Sequence, residues 1–182
     1  KIYQELGDLK AAWTCYWEVC NWEVLAEIRG LSMVGSSEEW LAVRFMLQGP
    51  SRECSLGDVC DSLSRFVAGV EGKFQMDSPW GHLASRLLNL DLSEVSNEEK
   101  RMIAGVLLEI ADAGEPQTGD VAGKLFYAIG DYDSASAAWE RHPSSDRKLH
   151  TIARALVLGM PEGLEPLFQA SLWSEIVSAW ES

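Results

Sequence analysis

The stretch Gly123-Lys124-Leu125-Phe126-Tyr127-Ala128-Ile129-Gly130-Asp131-Tyr132-Asp133-Ser134-Ala135-Ser136-Ala137-Ala138-Trp139-Glu140 decides how the whole chain is read. Gly130 gives a helix C-terminus the permissive backbone it needs, and Asp131 suits the N-cap of a following helix. Two helices joined by so short a turn run antiparallel and pack against each other. Ala135 is small enough to let their backbones approach. Trp139, one turn further on, supplies a large buried area.

These residues resemble the tetratricopeptide repeat: Gly123 and the aromatic Phe126 in a first helix, a Gly130-Asp131-Tyr132-Asp133 turn, then Ala135 and Trp139 four apart in a second. In that family paired helices cross closely at the small residues, and the aromatic fills the space toward the next helix. The pattern recurs at Tyr3, Gly7-Asp8-Leu9, Ala12 and Tyr16. Gly7, Ala12 and Tyr16 precede Gly130, Ala135 and Trp139 by the same 123 residues. A weaker copy places Trp173 and Trp180 41 residues beyond Tyr132 and Trp139, with Ile176 where the small residue belongs. Leu56-Gly57-Asp58-Val59, with Ser62 and Phe66, is a faint echo. The Pro that usually ends the repeat is absent at Val24 and Arg147, and no frame of roughly 34 residues fits between Trp22 and Gly119. The resemblance implies an all-α fold of antiparallel helix hairpins stacked as a right-handed superhelix, whose groove takes proteins or peptides.

The rest of the chain carries helical punctuation. Leu9, Ala12, Trp13, Tyr16 and Cys20 follow the spacing of one helix face, while Ala11, Cys15, Trp17 and Val19 cover much of the other, as in a helix packed on both sides. Asn21 caps a helix expected from Trp22 to about Val34. Ser36 with Glu39, and Ser96 with Glu99, form capping boxes, and Asp77-Ser78-Pro79 places Pro in a first helical turn. Gly114-Glu115-Pro116-Gln117-Thr118-Gly119 is expected to part a subregion of degenerate repeats, 1–113, from tetratricopeptide-like repeats at 120–182. Hardly any segment alternates as a strand does. Lys1 opens in what reads as a helix under way and Ser182 closes inside another, so a piece of a longer protein is expected.

The charge narrows the partners. Acidic side chains outnumber basic ones 28 to 15, a net charge of −13 that disfavours nucleic acid and anionic lipid and favours a basic protein segment. Basic residues are scattered, Lys100-Arg101 and Arg147-Lys148 being the longest groupings. No signal segment or apolar run of ~20 residues is present, so a cytoplasmic or otherwise intracellular protein with no membrane partner is expected. Cys15, Cys20, Cys54 and Cys60 lack the short spacings of zinc knuckles and read as reduced thiols.

Chemistry finds little to stand on. His82, His142 and His150 have no recognisable nucleophile beside them, and carboxylate pairs such as Glu38-Glu39, Glu98-Glu99 and Asp131 with Asp133 lie in first turns, where acids are stabilised anyway. No P-loop or calcium loop is present. Neither an enzyme nor a cofactor or metal is expected. Trp13, Tyr16, Trp139 and Trp180 read as core, whereas Trp22, Trp40, Trp80 and Trp173 lie near helix starts and are the candidates to anchor a partner. The expected function is a protein–protein interaction scaffold within a larger polypeptide. A helical accessory domain of an enzyme is the first alternative and a nucleic-acid-binding helical repeat the second.

Overall fold

A computed structural model describes residues 7–158 together with Leu167, Ser171, Leu172 and Ser174. Nine α-helices are formed among them: α1 (Leu9–Glu18), α2 (Trp22–Leu31), α3 (Ser37–Gln48), α4 (Leu56–Ala68), α5 (Pro79–Leu88), α6 (Asn97–Asp112), α7 (Pro116–Ala128), α8 (Tyr132–Arg141) and α9 (Arg147–Leu158). No strand occurs among the described residues; an isolated bridge joins Ser51 to Cys54. No described helix is long and apolar enough to cross a membrane. The chain divides into two compact units, Lys1–Asp91 and Leu92–Ser182.

In the first unit α3 packs against α2, α4 and α5. The interior is strongly aromatic: Trp13 stacks near Trp17 at 6.5 Å, Trp17 meets Trp80 edge-on at 5.8 Å, and Trp80 stacks on Phe66 at 5.0 Å. Such pairs add to the area they bury. Trp13 also fixes the turn into α3. Its indole Nε1 donates to Glu39 Oε2 at 3.0 Å, the same oxygen that accepts the Ser36 amide at 2.7 Å in the capping box. Gly35 closes that turn at φ +80°, where a Cβ would come under 3.0 Å from the Trp13 ring. Arg29 secures it from the other side, donating to the Gly35 carbonyl at 3.1 Å.

The second unit follows the hairpin logic of the sequence. Trp139 is 1% exposed and Ala135 fully buried. Trp139 lies so close over Gly123 that a Cβ there would come under 3.0 Å from the indole. Phe126 is buried beside them in α7, and Gly130 takes φ +79° in the turn. Gly7 likewise has φ +78° and Ala12 is fully buried, while Tyr16 is half-buried. Tyr3 and Trp180 lie outside the described residues.

The stretch 114–119 lies inside the second compact unit. Gly114 and Pro116 end α6 and begin α7 inside the second unit, where these two helices share the most extensive helix–helix contact. The buried Thr118 hydroxyl lies 2.8 Å from the Leu107 carbonyl of α6, fastening the turn. Helix α7 therefore starts at Pro116 rather than near Asp120. Likewise α2 ends at Leu31, before the expected Val34.

A repeat that the 123-residue shift does not express is also present. Helices α2 and α3 and the helices α8 and α9 have equal lengths, and Trp22, Leu31, Ser37 and Gln48 precede Tyr132, Arg141, Arg147 and Leu158 by 110 residues. The turns before them match too. Asn21 caps α2 at φ −88°, ψ 78° and Asp131 caps α8 at φ −87°, ψ 73°. The residue before each cap has positive φ, 53° at Cys20 and 79° at Gly130. Asn21 N–H donates to the Tyr16 carbonyl at 3.0 Å, as Asp131 N–H does to Phe126 at 2.9 Å. Non-glycine residues seldom take this conformation, which is why Cys20 does not announce the turn.

Candidate functional site

Helices α3 and α4 pack against each other, and a cleft of about 260 Å³ opens between the first turn of α3 and one face of α4. Ser37, Glu38 and Leu41 line it from α3. Asp58, Asp61, Ser62 and Arg65 line it from α4, at the i, i+3, i+4, i+7 spacing that puts all four on one side of a helix. Three carboxylates thus face a single guanidinium.

The local chemistry favours the charged form of Glu38. Glu38 sits in the first turn of α3, where its own backbone N–H and then the Ser37 hydroxyl, at 2.9 Å, hold its carboxyl below the usual carboxylate range. The positive end of the helix favours the same state. Asp58 Oδ2 accepts from Ser55 Oγ at 2.6 Å. Asp61 is exposed. Arg65 reaches Glu38 Oε1 at 3.4 Å, with the two side chains 67% and 38% exposed, so this is a weak surface pair. Ser62 is 4% exposed, and its hydroxyl opens on the cleft without a hydrogen bond to any described residue.

The tryptophans chosen as partner anchors separate in the structure. Trp22 is half-buried, edge-on to Trp17 at 5.7 Å and 6.5 Å from the ring of His82. Trp40 is half-buried beneath the Arg29 guanidinium, 5.8 Å from the ring centre. Trp80 is 9% exposed and belongs to the aromatic interior. Its place near a helix start suggested exposure. Gly81 instead lets the first turn of α5 press onto the backbone of Gln75 and Met76, carrying Trp80 inward. Trp173 lies outside the described residues. Exposed apolar side chains that the sequence did not single out include Leu31, 72% exposed, and Met33, 83% exposed, around the end of α2.

The histidines are dispersed. His82 is exposed and borders a shallow cleft with Met46, Met76 and Arg86. His142 packs on Gly119, and its Nε2 lies 2.8 Å from Asp112 Oδ1. His150 stands 6.0 Å from Trp139, its Nε2 buried with no partner among the described residues. The four cysteines are free thiols, and burial foremost pushes those of Cys20 and Cys54 above their ordinary pKa. Among the described residues no three His, Cys, Asp or Glu side chains are grouped to hold a metal ion.

Sequence reading missed the cleft because it used Asp58 and Ser62 only as marks of a repeat and Glu38 only as a first-turn acid. The signal was the polar spacing Asp58, Asp61, Ser62, Arg65 within an otherwise apolar-faced helix. No family model matches the chain, and neither a curated protein nor a solved structure is significantly similar to it.

Proposed function

We propose that the chain is a protein-interaction module built from tetratricopeptide-like helix pairs. The observation carrying this reading is the α7–α8 pair, in which Trp139 seats on Gly123 and Ala135 is fully buried beside it. That small-against-aromatic packing is what the family resemblance implies, and stacked helix pairs offer extended surface for recognition. The surface supports the reading further. Trp22 and Trp40 are half-buried, and Leu31 and Met33 stand out from the end of α2.

Charge favours a protein partner over nucleic acid. Arg44, Arg65, Arg101, Lys124 and Arg141 are each engaged by a carboxylate, on Glu53, Glu38, Asp131, Asp120 and Asp112. Those basic side chains are interleaved with carboxylates rather than gathered into the positive stripe that a phosphate backbone needs. The test is affinity capture with the whole chain from its source cell, then titration of the purified strongest binder at two salt concentrations. A saturating one-to-one complex with a protein that weakens modestly with salt is expected. Tight RNA or DNA binding with a steep salt slope overturns the reading.

A further inference from the structure

We propose that the cleft between α3 and α4 is a receptor for an arginine side chain in a basic segment of the partner. The proposal rests on the interaction-module reading and names the chemistry by which that module recognises its partner.

Four observations converge on a guanidinium. Glu38, Asp58 and Asp61 against Arg65 leave the lining two charges negative, so the cleft attracts a cation. The Ser62 hydroxyl, 4% exposed and without a hydrogen bond to any described residue, is a polar group aimed into the cleft that an N–H donor would satisfy. Its oxygen is not among the buried atoms left without a partner, so it opens to solvent, and an incoming N–H takes the place of water there. The three carboxylates are not grouped to converge on a metal ion. They are spread instead, as suits a planar cation with several divergent donors.

Size and lining fit the same occupant. At about 260 Å³ the cleft lies below the roughly 300–1,000 Å³ of small-molecule pockets and suits one long side chain. Leu41 gives its methylene stem an apolar wall. Arg65 shows that a guanidinium can sit at the rim, since it pairs with Glu38 at 3.4 Å while remaining 67% exposed. A pair so exposed is weak. An incoming arginine displaces Arg65 from Glu38 and reaches Asp61 and Ser62 beyond it.

The experiment titrates the ¹⁵N-labelled chain with Nα-acetyl-arginine amide and follows backbone amide shifts. Saturable shifts are expected at Ser37, Glu38, Asp61, Ser62 and Arg65, with none of that pattern for the neutral isostere Nα-acetyl-citrulline amide. Asp61→Asn weakens the arginine complex about threefold, the size of one exposed charge pair, and leaves the melting temperature unchanged. Arg65→Gln strengthens it by about twofold, because the intramolecular competitor is gone. A merely structural Arg65 would not give that gain. Equal shifts with citrulline, equal affinity for Nα-acetyl-lysine amide, or an Asp61→Asn chain that binds like the parent overturns the proposal. If a captured protein partner binds the Asp61→Asn chain undiminished, the cleft assignment falls while the interaction-module reading stands. If neither the arginine amide nor any protein binds, both fall.

Discussion

Helices α1–α3 and α7–α9 run through the same helices and turns 110 residues apart, yet they fill the space beside those turns with different choices. In the first region the indole comes from α1, where Trp13 lies against Gly35 and donates to Glu39 at 3.0 Å. In the second it comes from α8, where Trp139 lies over Gly123 of α7 and donates to the Asp120 carbonyl at 3.3 Å. In the 110-residue register Trp13 corresponds to Gly123. Each ring faces a glycine, but the two contacts are not in register, since Arg29 stands where α8 has Trp139 and Gly35 where the second region has Ser145. Backbone register is thus held by turn chemistry, a left-handed residue followed by an Asn or Asp cap. The side chain that fills the space is free to come from either helix, provided its opposite is small.

The comparison is broken most severely at the second indole. Trp139→Ala removes a side chain that is 1% exposed and leaves Gly123 facing a void, so a loss of about 3–5 kcal/mol is expected in urea denaturation. A loss below about 1 kcal/mol would show that this hairpin is not organised around its ring.

Filling the small side of the contact comes next. Gly123→Ala places a Cβ under 3.0 Å from the indole, and Ala135→Leu enlarges a fully buried site at the same helix pair. Overpacking of this kind costs roughly 1–3 kcal/mol. Each variant should melt lower than the parent, and superimposable melts would remove the evidence that α7 and α8 meet as a close-packed pair.

How much of this was legible follows from which signals are local. Gly130-Asp131 and Gly7-Asp8 announce their turns because glycine tolerates positive φ and aspartate caps. The equivalent turn at Cys20-Asn21 carries a residue seldom found at φ 53°, so the 110-residue register stayed hidden behind the 123-residue one. Capping boxes at Ser36 and Ser96 were read correctly, since both partners lie within one turn. The Gly- and Pro-bearing stretch at 114–119 ends one helix and begins the next inside the second compact unit. The cleft between α3 and α4 was legible only by half. Its α4 stripe is a matter of spacing, whereas its meeting with Glu38 depends on how two helices pack.

The two regions also differ in what secures the turn between their second and third helices. Arg29 grips carbonyls of the first, while Asp120 accepts from Ser144 Oγ at 2.8 Å, Ser145 Oγ at 2.6 Å and Lys124 Nζ at 3.0 Å in the second. Burial raises the Asp120 pKa, but the bonds from Ser145, Lys124 and Ser144 outweigh it and lower the carboxyl from 3.8 to about 2. A depressed folded pKa means the unfolded chain takes up its proton first on acidification. The stabilisation is therefore complete above about pH 4 and is lost as pH falls toward 2, an effect on the order of 1–2 kcal/mol. Asp120→Asn should flatten that part of the stability–pH profile. A profile identical to the parent's between pH 4 and 2 would show that the carboxylate does not hold the turn.

The smallest effect expected has the opposite sign and tests whether glycine itself, or its neighbour, sets the outcome. Gly105 lies in α6 of the same unit as Gly123, also inside a helix, but a Cβ built there meets nothing within 4 Å. An unhindered helical glycine costs stability, because it gives the unfolded chain more freedom to lose than alanine does. Gly105→Ala should accordingly stabilise the chain by about 0.5–1 kcal/mol, while the same chemical change at Gly123 destabilises it. Helix propensity alone predicts a gain at both positions, so the difference between them isolates the indole contact. The double variant Trp139→Ala with Gly123→Ala sharpens the point. With the ring absent, the added methyl at 123 no longer clashes, and its effect should revert toward the favourable value seen at 105. If Gly123→Ala remains as harmful in the Trp139→Ala background as in the parent, the glycine serves something other than the ring that lies over it.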